Sequence, residues 1–222
     1  MPVVWFLSRR FKMQVGWIAM IPLALSTLLV LLSAWSGHVE EEFRWEPIGY
    51  FGFRADGLSI PIVFAVALLC GVISVYSMPY MIHRLEGESK DSGLYFALYL
   101  LYSAGMIGAV LATNLIEFYL FFELMLIPSY FLIARWGYGD RDRISFMYFM
   151  WTHVGALLLL AGILILWSVT GTFDLSALAN AVIPQPYRFW ITITILVGLL
   201  VKMAVFGVHI WLPHAHAEAP TP

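Results

Sequence analysis

Six apolar stretches of about 20 residues each, the length that crosses the hydrocarbon core of a bilayer, dominate this sequence and limit what it can fold into. They cover Val15–Trp35, Leu58–Met78, Leu94–Thr113, Leu115–Trp136, Phe146–Val169 and Phe189–Trp211. In hydrocarbon a lone chain segment satisfies its backbone hydrogen bonds only as a helix. The sequence therefore predicts an all-α polytopic membrane protein with about six transmembrane helices.

The composition excludes several other classes of protein. The chain is 61% hydrophobic and 12% charged, whereas a soluble domain is about 25% charged. The net charge of -2 gives no basic surface for DNA or RNA. Cys70, the single cysteine, lies inside an apolar stretch, so no disulfide framework and no cysteine-based metal or cluster site is expected. An ordinary soluble enzyme, a disordered chain and a nucleic-acid-binding protein are excluded.

The order of the stretches predicts five segments. Residues 1–14 form an N-terminal segment, 15–35 the first transmembrane helix, and 36–57 an acidic and aromatic external flap. Residues 58–212 hold five further transmembrane helices, and 213–222 form a polar C-terminal tail. The loops on the N-terminal side carry eight Lys and Arg residues, against three on the other side. The positive-inside rule then places both termini in the cytoplasm. The expected location is the plasma membrane of a prokaryote.

Polar side chains inside the spans are the first candidates for function, because a charge at mid-bilayer costs roughly 2.5–3.5 kcal/mol. The candidates are Glu117, Glu123, His153, Lys202 and His209. At 1.5 Å per residue, Glu123 lies about 14 Å from the outer edge, and Lys202 and His153 about 18 Å from it. A carboxylate, an amine and an imidazole at one depth can shift one another's pKa and pass protons.

Two of these candidates also have purely structural explanations. Glu117 follows Asn114 by three residues, which is the spacing of a capping box, so it either caps the fourth helix or belongs to an ion path. His153 is either part of a relay or a core histidine bonded to a neighbouring carbonyl group.

Three histidines lie near or beyond the end of the sixth span. His209 follows Lys202 by seven residues, which places both on nearly the same face of a continuous helix. It either continues the relay or is a structural group at the membrane surface. His214 and His216 lack the spacing of a helical ligand pair and have no cysteine partner, so no metal site is expected.

Two stretches of sequence resemble a known family. They are NLIEFYLFFELMLIPSYFLIARWG at Asn114–Gly137 and VKMAVFGVHIWLPHAHAEAPTP at Val201–Pro222. Both are similar to the antiporter-like, ion-translocating membrane subunits of respiratory complex I, of the chain M or mitochondrial chain 4 type. The family also includes subunits of membrane-bound hydrogenases, archaeal sulfur-reducing complexes and Mrp antiporters. The segment Phe53–Ser59 resembles the start of the family's third helix.

The resemblance implies roles for particular residues. Glu123 matches the family's essential glutamate on its fifth helix, and Lys202 matches the essential lysine on its discontinuous seventh helix. In the family these two groups form an ion pair that associates and separates as ions move. His209 matches a histidine of the same motif. Ala204 and Gly207 replace two prolines of the family pattern, so we expect a less sharply broken sixth span.

The length is a further departure from the family. Members have about fourteen helices, including two inverted repeats that place the ion path at their interface. This sequence corresponds to helices two through seven, which is the N-terminal portion only. We therefore expect another chain to supply the missing antiporter helices, and the sequence leaves open whether this chain is a natural split subunit or a truncation.

The resemblance implies an H⁺- or Na⁺-translocating subunit of a multisubunit, redox-driven membrane complex of the complex I, hydrogenase or sulfur-reductase type. We expect no cofactor in this chain, with flavin, iron–sulfur clusters or NiFe on partner subunits. The expected partners are other membrane subunits, peripheral redox subunits and the lipid bilayer. Two alternatives remain: a structural or assembly subunit without transport activity, and a subunit of an Mrp-type cation/proton antiporter.

Overall fold

Long apolar helices make up most of the computed structural model, which describes residues 15–84 and 92–222. Five of the predicted spans correspond to helices long and apolar enough to cross a membrane. They are α1 (Val15–Ser36), α2 (Ser59–Arg84), α3 (Ser92–Leu111), the pair α4 (Leu115–Leu124) and α5 (Leu126–Trp136), and α6 (Arg141–Thr170). The residues that the structure describes are 74% helical, which confirms the predicted class of a helical membrane protein. The N-terminal segment 1–14 lies outside the described residues.

The helices bury several large side chains between them and expose other apolar side chains on the outside of the bundle. Tyr95, Trp136 and Met81 are almost fully buried where α2, α3 and α5 meet. Leu25 and Leu28 of α1 are more than half exposed. In a chain that spans a membrane, such exposed leucines face lipid, which satisfies them as well as a protein core would.

The segment predicted as a flap folds into a β-hairpin, the one described departure from an all-α chain. Strands β1 (Val39–Trp45) and β2 (Gly49–Ala55) pair antiparallel, with Glu40 opposite Arg54. Arg54 donates a hydrogen bond to Glu40, and this bond holds the pKa of the Glu40 carboxyl below its ordinary value. The hairpin lies at the end of the bundle where α1 ends and α2 begins.

The fourth predicted span is kinked rather than straight. Helix α4 ends at Leu124 and α5 begins at Leu126, with Met125 between them. Pro128 explains the interruption, because it has no N–H to donate and its ring clashes with the carbonyl of the residue four positions before it, Leu124. The kink therefore follows Glu123 by one or two residues.

The sixth predicted span does not form a continuous helix, and the expectation of a mild break was wrong. After a single turn, α7 (Leu175–Leu178), helix α8 (Gln185–Lys202) ends at Lys202, and α9 (Trp211–Glu218) begins nine residues later. Ala204 and Gly207 have positive φ angles of 51° and 99°, which no right-handed helix contains. The predicted polar tail is thus largely helical. A break forms without proline, because these left-handed residues interrupt the helix just as effectively.

Glycines allow α6 and α8 to approach closely. A Cβ atom added to Gly198 would lie 2.6 Å from the carbonyl oxygen of Gly155, and one added to Gly155 would lie 2.7 Å from Cβ of Val201. Small residues at such a crossing are typical of helix packing in membranes. This contact fixes the position of the C-terminal end of α8, and hence of Lys202, relative to α6.

Candidate functional site

A carboxylate and an imidazole meet between two of the spans. His153 Nδ1 of α6 lies 3.1 Å from Glu123 Oε2 of α4. The side chains of His153 and Glu123 are 36% and 22% exposed. The His153 ring stacks on Phe149, with 5.5 Å between the ring centres. Of the two readings of His153 from the sequence, the structure shows contact with a charged partner rather than with a carbonyl group.

The second oxygen of the Glu123 carboxylate is left without a partner. Oε1 is buried and accepts no hydrogen bond. A buried polar atom without a partner is costly, so this oxygen can accept a further hydrogen bond or an approaching cation. Glu123 therefore has room for a second partner besides His153.

Lys202 lies close to this pair without an ion pair to it. The ammonium nitrogen is 5.1 Å from the centre of the Phe122 ring, which is a cation–π contact. Phe122 precedes Glu123 in α4, yet Lys202 and Glu123 form no ion pair within 4.0 Å. The structure thus brings together three of the five predicted residues, with the amine and the carboxylate apart.

A cavity of about 580 Å³ opens on Lys202. It lies between the ends of α3, α5 and α6 on one side and the C-terminal segment, residues 215–222, on the other. Its wall is rich in hydroxyl groups, including those of Ser129 and Tyr148. Among its described lining residues none is Asp or Glu. The cavity faces the end of the bundle opposite the hairpin.

Glu117 does not join this group. Its side chain is fully buried, and Oε2 accepts hydrogen bonds from the backbone amides of Gly52 in the hairpin and Thr113, at 3.2 and 3.3 Å. Asn114 caps α4 by accepting from the Ile116 amide. The contacts therefore favour the structural reading of Glu117, extended to holding the hairpin on α4.

His209 is also outside the group. The helical relation between His209 and Lys202 predicted from their spacing is wrong, because α8 ends at Lys202. Nδ1 of His209 accepts the Gly207 amide at 3.2 Å, and the ring stacks on Phe206. Within residues 15–84 and 92–222 no group of His, Cys, Asp and Glu has the arrangement of a metal site.

Sequence reasoning missed the hydroxyl side of the site. Tyr148 of α6 and Ser129 of α5 contact each other at 2.8 Å, and the Tyr148 ring packs on Trp211. The search of the spans for charged groups passed over them, because neither residue carries a charge. Serine within an apolar run was the one available signal.

A kinked span that carries a glutamate and a broken helix that ends in a lysine agree with the resemblance to antiporter-like membrane subunits. The chain belongs to the family described as "NADH:quinone oxidoreductase/Mrp antiporter, TM", whose profile matches residues 112–222. This match covers the kinked span, α6 and the broken helix, and it confirms the resemblance drawn from the sequence.

Curated relatives are identical to this chain at about a third of the aligned residues. F(420)H(2) dehydrogenase subunit M of Methanosarcina mazei is 34% identical over 193 residues, which cover 82% of this chain and 37% of the relative. NADH-quinone oxidoreductase subunit M of Pseudomonas aeruginosa is 33% identical over 249 residues, which cover 98% and 47%. The chain thus spans between about a third and a half of the length of the curated relatives it matches.

Solved structures show the same fold. Respiratory complex I from Thermus thermophilus matches with a TM-score of 0.78 and 26% identity, over 90% of this chain and 42% of that chain. The archaeal membrane-bound sulfane sulfur reductase matches with a TM-score of 0.85 and 20% identity, over 98% and 45%. The Mrp complex of Dietzia matches at 0.84 and 24%, over 98% and 24%. The matches to the sulfane sulfur reductase and to the Mrp complex, at 20% and 24% identity, establish only the fold.

Proposed function

We propose that this chain is an ion-translocating subunit of a multisubunit, redox-driven membrane complex, and that Glu123, His153 and Lys202 carry its ion path. The observation that supports this most directly is the carboxylate of Glu123, inside a span, bonded to one side chain and left with one free oxygen beside a lysine. Intramembrane groups of this kind are expensive to insert and are otherwise hard to explain.

The geometry supplies a way to couple helix movement to protonation. Attraction between Lys202 and Glu123 depends on their separation, and it is strong where little water intervenes. Lys202 is the last residue of α8, and the flexible four-carbon stem of its side chain lets the amine move while the helix end stays in place. Approach of the Lys202 ammonium to Glu123 displaces the partnership with His153 and releases to water the proton or cation held there. Retreat of the ammonium restores the partnership, and the Glu123 carboxylate takes up another proton or cation from water.

The remainder of the machinery belongs to partner chains in this proposal. Electron transfer takes place on peripheral subunits that hold flavin, iron–sulfur clusters or NiFe. Further membrane subunits complete the ion path. The complex lies in a prokaryotic plasma membrane with both ends of this chain on the cytoplasmic side, and either H⁺ or Na⁺ is the transported ion.

The test uses the assembled complex in sealed vesicles, with electron transfer and ion uptake measured together. Glu123→Gln keeps the size of the side chain and an oxygen that can face His153, but it removes the charge. We expect ion uptake per electron to fall sharply in Glu123→Gln and in Lys202→Ala. Glu41→Gln, which neutralises an exposed carboxylate of the hairpin, is the matched control and retains normal uptake.

Parallel measurements with a pH-sensitive dye and with radioactive sodium identify the ion. Normal ion uptake per electron in both site variants would refute the proposal. A loss of assembled complex with normal uptake per remaining complex would instead identify a structural subunit. Cation/proton exchange in the absence of electron transfer would identify an Mrp-type antiporter.

A further inference from the structure

We infer that Tyr148, held in place by Ser129, orders the water that delivers protons to Lys202 through the 580 Å³ cavity. This inference rests on the proposed function and adds to it a positioning residue and a side of access. Neither residue is charged, and neither contacts Glu123 in a described hydrogen bond.

The cavity itself has the size and wall of a proton pathway. Its volume is far above the ~10–15 Å³ that a single water molecule needs. Lys202 and Tyr148 line the same space, together with His216 near the C-terminal segment. Because no Asp or Glu lies among the described lining residues, the wall has no carboxylate to replace the hydration shell of Na⁺. Hydroxyl groups and water are sufficient for a proton.

The hydrogen bonds around Ser129 orient the tyrosine. The Ser129 hydroxyl lies 2.8 Å from the carbonyl oxygen of Met125 and 2.9 Å from that of Leu126. Its single hydrogen is therefore directed to a carbonyl group, and the 2.8 Å contact with Tyr148 is made by the hydrogen of the phenol. The Tyr148 oxygen keeps its acceptor positions for the cavity.

Tyr148 differs from Tyr95 and Tyr99 of the same wall in what it is connected to. Tyr95 contacts the hydroxyl of Ser77 at 3.3 Å, and Tyr99 donates to the carbonyl of Cys70 at 2.8 Å, so both are bonded to α2 and not towards α8. Tyr148 is also fixed by its ring, which packs on Trp211. The indole N–H of Trp211 donates to the carbonyl of Val201, the residue before Lys202. A chain of direct contacts thus connects the tyrosine to the end of α8.

The transfer conserves atoms and charge. A proton from bulk water enters the cavity and moves along ordered water, where one O–H bond breaks as the next one forms. It ends on the neutral amine of Lys202, which becomes an ammonium. Tyr148 keeps its own hydrogen and accepts a hydrogen bond from the water next to it, so it positions the chain and is not consumed.

The experiment compares three variants of the whole complex in vesicles. Tyr148→Phe removes the acceptor, keeps the ring on Trp211, and leaves Ser129 bonded to its carbonyl groups. Ser129→Ala removes the group that orients the phenol. Tyr95→Phe removes a hydroxyl from the same cavity wall and is the matched control. Proton uptake per assembled complex is measured in H₂O and in D₂O, together with electron transfer.

We expect Tyr148→Phe to slow proton uptake about tenfold, less than the ~10²–10⁴-fold effect of a direct proton-transfer group, because water still fills the cavity. The ratio of rates in H₂O and D₂O rises, which a purely structural defect would not cause. Ser129→Ala gives a smaller loss, and Tyr95→Phe none.

Normal uptake in Tyr148→Phe, with uptake abolished in Glu123→Gln, would overturn the inference and leave the proposed function standing. An equal loss in Tyr95→Phe, or an unchanged isotope ratio in Tyr148→Phe, would also overturn it. Normal uptake in both Tyr148→Phe and Glu123→Gln would refute the two together.

Discussion

Replacing Glu117 by alanine should release the hairpin from α4 without stopping ion transport. The carboxylate is 0% exposed, and its Oε2 accepts two backbone hydrogen bonds, from Gly52 in the hairpin and from Thr113 in the turn before α4. Glu117→Ala removes the acceptor and leaves two buried N–H groups without a partner.

The expected cost follows from these two bonds. A hydrogen bond to a charged group contributes about 1.5–3 kcal/mol. Both bonds are long, at 3.2 and 3.3 Å, so we take the lower value for each and obtain a loss of about 3 kcal/mol for the folded protein. Only the bond from Gly52, about 1.5 kcal/mol, breaks when the hairpin leaves α4, and since 1.4 kcal/mol corresponds to a factor of ten, the hairpin should open about tenfold more often. Glu117→Gln keeps an oxygen acceptor and should lose about half as much free energy.

Amide hydrogen exchange of residues 39–55, measured by mass spectrometry on the protein in lipid discs, reports this opening directly. Glu41→Gln in the same hairpin removes an exposed carboxylate and should leave exchange unchanged. Ion uptake per electron should stay normal in Glu117→Ala. Unchanged exchange in Glu117→Ala would show that Glu117 does not hold the hairpin. Loss of ion uptake with unchanged exchange would indicate instead that Glu117 belongs to the ion path.

Two further predictions concern the helix crossing and the hairpin. Gly198→Ala forces α8 away from α6, because the added Cβ has no room at the crossing. We expect it to lower the stability of the protein in detergent by about 1–3 kcal/mol and, by displacing Lys202, to slow ion uptake. Gly71→Ala on α2, where a Cβ meets nothing within 4 Å, is the control, and equal melting temperatures for both variants would contradict the crossing argument. The lowered pKa of Glu40 means that its contact with Arg54 stabilises the hairpin above the ordinary glutamate pKa and is lost as pH falls through the lowered one. Opening of the hairpin, taken from exchange rates corrected for the intrinsic pH dependence of amide exchange, should therefore rise on acidification. Arg54→Ala should remove that dependence, and an identical corrected pH profile in the variant would count against the role of this contact.

The membrane class and five of the spans could be predicted without a structure, because a bilayer allows few backbone solutions. An apolar run of about 20 residues has to be helical to satisfy its amides and carbonyls in hydrocarbon. Charged residues stand out within such apolar runs. Glu123 and Lys202 could therefore be identified as candidate functional residues from the free-energy cost of placing a charge in the bilayer. The hydroxyl pair of Ser129 and Tyr148 carried no comparable signal.

The sharp break after Lys202 could not be predicted from the local sequence. The prolines of the family pattern are absent at Ala204 and Gly207, and a local rule about proline therefore predicted a milder break. In the structure these same two residues take left-handed backbone angles, and the Trp211 indole satisfies the carbonyl of Val201 near the end of α8. Contacts made across the break decide its geometry, and local propensity does not report them.

The sequence by itself determined that this chain crosses a membrane and which charges it carries there, because both follow from composition along a single helix. Only the tertiary structure decided what those charges meet. Glu123 contacts His153 thirty residues away, and Glu117 contacts Gly52 sixty-five residues away. Such partners depend on how each helix is rotated and on how closely glycines let it approach its neighbours. Neither the rotation nor the packing distance can be predicted from the sequence of a single helix.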